Sequence, residues 1–121
     1  LNPFTVPHQA WNWATVPREH ISDGVIRQVI HGRTLMICRL TIAPGTMTVA
    51  HQHLNEQMTI IERGRVRFVL GTGNQEFGPG DILLLPSSFW HGATALDEEE
   101  VVLIDIFSPI REDFLEATRE C

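Results

Sequence analysis

The chain contains no lysine and no tyrosine; the nine positions counted as Lys+Arg are all arginine. Schiff-base catalysis, a phosphate-binding P-loop lysine and a phenolic acid or base are thereby excluded. None of the four serines stands in a G-x-S-x-G elbow, and no G-x-G-x-x-G offers a dinucleotide loop. Two cysteines, Cys38 in an apolar run and Cys121 at the last position, are too few and too ill placed for a disulfide framework. No apolar run approaches the roughly 20 residues a membrane-spanning helix needs. The start, LNPFTVPHQAW, has neither a basic n-region nor an apolar h-region, so no signal peptide and a cytoplasmic location are expected. With a net charge of −6 and only Arg63, Arg65 and Arg67 clustered, there is no basic field for a phosphate backbone, and nucleic-acid binding is not expected. What is left for chemistry is His, Asp/Glu, Arg and a metal.

What is present reads as one β domain. The 121 residues, 43% hydrophobic and 20% charged, suffice for a single core, and no linker or internal repeat divides them. Periodicity is two rather than 3.6, in short runs broken by Gly and Pro. Strands are expected at Gly24 to Ile30, Thr34 to Ile42, Thr46 to His53, Gln57 to Glu62, Arg65 to Leu70, Gln75 to Phe77, Ile82 to Leu85 and Glu100 to Phe107. Eight short strands suit an all-β jelly-roll sandwich or barrel. Ala43-Pro44-Gly45, Arg63-Gly64, Gly71 to Asn74 and Gly78 to Asp81 supply the turns. Residues 1–20, with Trp11 and Trp13 alternating, read as an arm across the sandwich or a partner subunit. Residues 108–120 read as a short C-terminal helix, capped by Ser108 with Pro109 first, facing Ile110, Phe114 and Leu115 inward.

Histidine carries the main signal. Residues two apart on a strand share a face, so His51 and His53 point the same way. Gln57 follows in the same alternation, and His91 can arrive from a neighbouring strand. Three imidazoles and one oxygen, with positions left open, suit a catalytic divalent metal, for which Zn, Ni, Fe and Mn are all compatible. Glu56 takes the place of Gln57 only if a bulge shifts the register. A site without metal, in which these side chains simply satisfy one another, is the bland alternative.

These residues resemble the cupin family. Its first motif, G-x5-H-x-H-x3,4-E-x6-G, is matched by Gly45, His51, His53, Gln57 and Gly64, with Gln for Glu. Its second, G-x5-P-x-G-x2-H-x3-N, is matched by Gly80, Pro86 and His91, with Ser88 for Gly and Ala95 for Asn. The stretch His53 to Gln57 and the ending Asp105 to Phe114 also resemble small cupins that linearise 4,5-unsaturated uronates. That resemblance implies a jelly roll, a metal on His51, His53, Gln57 and His91, and a pocket lined by Asp105, Phe107 and Arg111.

Independently, Asp105 alternates with Val101, Leu103 and Phe107, so apolar neighbours would raise its pKa toward that of a general base. Arg111 could hold a substrate carboxylate through two parallel hydrogen bonds. A structural ion pair between the two is the alternative. Met47, sharing parity with His51, and Phe89 and Trp90, beside His91, are further candidates for substrate contact. The expectation is a metal-dependent isomerase or lyase acting on a small molecule, such as an unsaturated uronate, and forming a homodimer. The alternatives are a dioxygenase, a polyketide or aromatic cyclase, and a non-catalytic ligand-binding module.

Overall fold

The computed structural model describes residues 8–48, 51–71, 73–96 and 98–115. In chain order the strands are β1 (Glu19–Ser22), β2 (Val25–His31), β3 (Met36–Ile42), β4 (Glu56–Arg63), β5 (Val66–Leu70), β6 (Gly73–Phe77), β7 (Ile82–Leu85), β8 (His91–Ala95) and β9 (Val101–Ser108). They form two antiparallel sheets, β1-β2-β3-β9-β4-β7 and β6-β5-β8. The all-β expectation holds. Among the described residues no helix is long and apolar enough to cross a membrane.

Alternation explains the layering. Along β9 the inward residues Val101, Leu103, Asp105 and Phe107 are buried, whereas Ile104 and Ile106 are half-buried on the other face. A cluster including Val25, Ile42, Ile61, Val66, Phe68, Leu83, Ala93 and Leu103 fills the space between the sheets. A smaller cluster gathers Met36, Cys38 and Phe107, with Ile110, Phe114 and Leu115 packed on it. Residues of both clusters line a cavity of about 340 Å³ between them.

Several boundaries differ from expectation. The expected strand from Thr46 to His53 is present as isolated bridges, Met47 to Thr94 and His51 to His91, that add the segment to the edge of β8. His51 N donates to His91 O at 2.8 Å, and His91 N returns a bond to His51 O at 2.9 Å. Two strands were missed, β1 and β8. β1 takes Glu19 and His20 from the expected arm, whose residues 1–7 lie outside the described set. Gln28 holds the arm by donating to the carbonyls of Trp13 and Val16 at 2.7 and 2.9 Å.

The expected helix from 108 is also corrected. Ser108 is the last residue of β9, bonded in the sheet opposite Glu56, and so cannot cap a helix. Among the described residues helix starts at 112 and runs to 115, where the described set ends; residues 116–121 lie outside it. Ile110, Phe114 and Leu115 nevertheless pack inward as expected.

Candidate functional site

The paired segments around His51 and His91 bring three imidazoles together. Ring centroids are 4.6 Å apart for His51 and His91, 5.0 Å for His53 and His91, and 5.4 Å for His51 and His53. One ring nitrogen from each lies within 4.8 Å of the others. Ser88 N donates to His53 O at 2.6 Å, which ties the loop before His91 to the first histidine pair. Ser88 has a φ of 62°, the left-handed conformation that favours the Gly it replaces.

Hydrogen bonding sets the tautomers. His91 Nδ1 lies 2.8 Å from Phe89 O and His53 Nδ1 lies 3.0 Å from Asn55 O. A carbonyl only accepts, so Nδ1 carries the proton and Nε2 the lone pair, as metal-binding imidazoles require. Burial lowers His91 to about 4 and also lowers His53, with Arg111 contributing, so both rings are neutral near pH 7.

Gln57, buried on β4, completes the set. Its Nε2 donates to Thr59 Oγ1 at 2.8 Å, which turns Oε1 toward His53 Nε2 at 2.9 Å. Two lone pairs therefore face each other, an arrangement that a shared cation satisfies. Glu56 is exposed on the opposite face of β4, as regular alternation requires. The donor set of three neutral imidazoles and an amide oxygen fits a divalent metal.

From Gln57 a hydrogen-bonded chain leads to Asp105. Thr59 Oγ1, which accepts from Gln57, donates to Asp105 Oδ1 at 2.6 Å. Burial pushes Asp105 up to about 6, against the opposing pull of these bonds and of Arg111. Cys38, the β3 partner of Asp105, is pushed up by its own burial and by that carboxylate, so its thiol is no nucleophile here.

Arg111 differs from expectation. Its Nε and Nη2 donate to the two carboxylate oxygens of Asp113 at 2.9 and 2.6 Å, so that edge of the fork is already taken by its neighbour. The ion pair of Arg111 is with Asp113, not Asp105. Its buried Nη1 has no hydrogen-bond partner, and its guanidinium lies over Phe114 at 4.1 Å.

His51, His91, Gln57, Asp105, Phe107 and Arg111 all line the cavity, and His53 closes the histidine cluster beside it. Met47, Phe89 and Trp90 do not line it. Met47 is 69% exposed, and Thr48 lines the cavity in its place, so alternation counted back from His51 does not reach it. Phe89 packs against the large core cluster, and Trp90, 46% exposed, faces solvent. Arg27, Thr59 and Phe114 are the site residues that sequence reasoning passed over. Arg27 shares the inward parity of Val25, which was the available signal.

Comparison with known proteins agrees with this geometry. The "Pectin degradation protein KdgF" of Dickeya dadantii is 32% identical over 102 residues, covering 82% of this chain and 91% of that protein. The solved structure of KdgF from Halomonas sp. superposes with a TM-score of 0.82 at 25% identity, covering 89% of this chain and 99% of that one. An RmlC-like cupin from Shewanella frigidimarina gives 0.81 at 26% identity, covering 89% and 96%. Residues 38–107, from the strand carrying Cys38 through the whole histidine and Asp105 constellation, match the family described as the cupin domain, and it is to the cupins that the chain belongs.

Proposed function

We propose that the chain is a metal-dependent isomerase or lyase that opens the ring of an unsaturated uronate. The observation that carries this reading is Asp105, a buried carboxylate set in one cavity with the histidines and Arg111 and hydrogen-bonded through Thr59 to Gln57. The likeness to KdgF points the same way. His51, His53, His91 and Gln57 would hold the ion, whose Lewis acidity toward a hydroxyl or carbonyl oxygen a neutral amide ligand leaves undiminished.

The chain's own residues account for the remaining steps. Asp105 removes the proton of the hemiacetal hydroxyl, the ring carbon–oxygen bond breaks, and a carbonyl forms at one end and an enolate at the other. Asp105 then returns its proton to the enolate carbon, giving a ketone. No atom is gained or lost and no oxidant is consumed. Phe107 and Phe114 keep water from the apolar side of the cavity, and Arg111, which lines it, binds the carboxylate. The volume of about 340 Å³ lies at the small end of ligand pockets and suits a monosaccharide better than a polymer.

An aromatic rim at Phe89 and Trp90 would favour a cyclase or dioxygenase, and those residues do not line the cavity. The partner we propose is a second copy. The outer face of β4 and β7 exposes Met58, Ile82 and Leu84, an apolar patch that a two-fold contact would cover. The test of function is NMR of a 4,5-unsaturated uronate with metal-replete protein. Wild type should speed appearance of the linear ketone, and Asp105→Asn should retain its metal while losing at least about a hundredfold in rate. Equal rates for the two would overturn the role of Asp105.

A further inference from the structure

The cavity receives a second guanidinium that the proposed chemistry does not use. Arg27 projects inward from β2 beside Val25, and its side chain is 8% exposed. Its Nε forms an ion pair with the Glu19 carboxylate at 3.7 Å, longer than a hydrogen bond, and is otherwise without a hydrogen-bond partner. Its guanidinium lies over the Phe114 ring at 4.2 Å, and that of Arg111 lies over the same ring at 4.1 Å. An aromatic face fixes a guanidinium in place without supplying an acceptor to its N–H groups.

Both arginines line one cavity, and each holds a buried nitrogen without a hydrogen-bond partner, Nε in Arg27 and Nη1 in Arg111. Burying charged donors without acceptors is costly, and such groups persist where something else completes them. Asp113 cannot serve both, because it is already engaged by the Nε and Nη2 of Arg111. Glu19 and Asp113 pair with the two charges from the outer side, and a ligand carboxylate in the cavity would offer two further acceptor oxygens.

We propose that Arg27 is a second carboxylate anchor, acting with Arg111 across Phe114, and that it sets the preference for a free acid over its ester. This rests on the uronate reading and deepens it by assigning the recognition of the acid group. One arginine with half its fork occupied holds a carboxylate weakly; a second guanidinium lining the same cavity would strengthen that hold.

The test titrates metal-replete protein with galacturonate and its methyl ester by calorimetry, with turnover of the unsaturated uronate followed in parallel. Wild type should bind the acid at least tenfold more tightly than the ester. Arg27→Gln should weaken the acid tenfold or more, leave the ester within twofold, and keep full metal content. Arg27→Lys, which keeps the charge but loses the fork, should fall between, and it carries the test alone if Arg27→Gln does not fold. Unchanged acid affinity in the variants, or no acid preference in wild type, overturns the anchor. Arg27-dependent binding without turnover keeps the anchor and sinks the ring-opening reading; turnover with unaltered KM in Arg27→Gln does the reverse.

Discussion

Asp105 shows how a site residue is set against stability. Its carboxyl rises from an ordinary 3.8 to about 6 on burial, so the folded state holds its proton more tightly than the unfolded chain does. Stability from this group is therefore present below pH 4, falls as pH rises toward 6 and stays reduced above, by roughly 3 kcal/mol at most. In chelator-treated protein, Asp105→Asn should melt at higher temperature than wild type at pH 7 to 8. That advantage should vanish near pH 4, and melting curves across pH would show it. Asparagine still accepts from Thr59 without burying a charge. The histidine cluster was legible from the spacing of the His motifs, and Asp105 from alternation along β9. The hold of Arg111 on Asp113 and the unbonded Nε of Arg27 were not, because long side chains choose partners only in three dimensions.

At the scale of elements, turns decide where strands stop. Gly64 has a φ of 78°, and a Cβ there would lie 2.7 Å from Glu100 O and 2.9 Å from Val101 Cγ2. Gly45 has a φ of 77° with nothing within 4 Å of such a Cβ. Gly64→Ala should therefore cost about 3 kcal/mol, while Gly45→Asn should cost under about 1 kcal/mol. Ser88→Gly relieves a left-handed serine and should gain about 0.5–1 kcal/mol after the extra chain entropy is counted. Denaturant titration of the three variants would rank them. These turns were legible from Gly and Pro. β8 was not, since His91-Gly92-Ala93-Thr94-Ala95 has no apolar alternation, its first three residues being buried in succession. The helix was read too early because Ser-Pro is also a way to end a strand, as Ser108 does at β9.

For the whole molecule, the ion is expected to stabilise without being needed to fold. The segments bearing the histidines are already joined by backbone bonds between His51 and His91 and between Ser88 and His53, and the main core cluster contains none of the ligands. Chelation should lower the melting temperature in proportion to the logarithm of free metal while circular dichroism keeps its strand signature. Loss of that signature would show instead that the ion drives folding. Leu84→Glu, on the exposed face of β7, should halve the mass found by sedimentation while leaving turnover intact; an unchanged mass would rule out that face as the contact.

The central strand has a kinetic consequence. β9 pairs Phe107 with Met36 and Asp105 with Cys38, partners roughly seventy positions apart, so closing these pairs demands a large loop before any contact rewards it. The cavity, lined by β3, β4 and β9 from one sheet and by β5 and β8 from the other, can exist only after that closure. In a refolding experiment, recovery of ligand binding should coincide with the slowest strand-forming phase, whereas the hairpin of β5 and β6, whose partners are near neighbours in sequence, forms earlier.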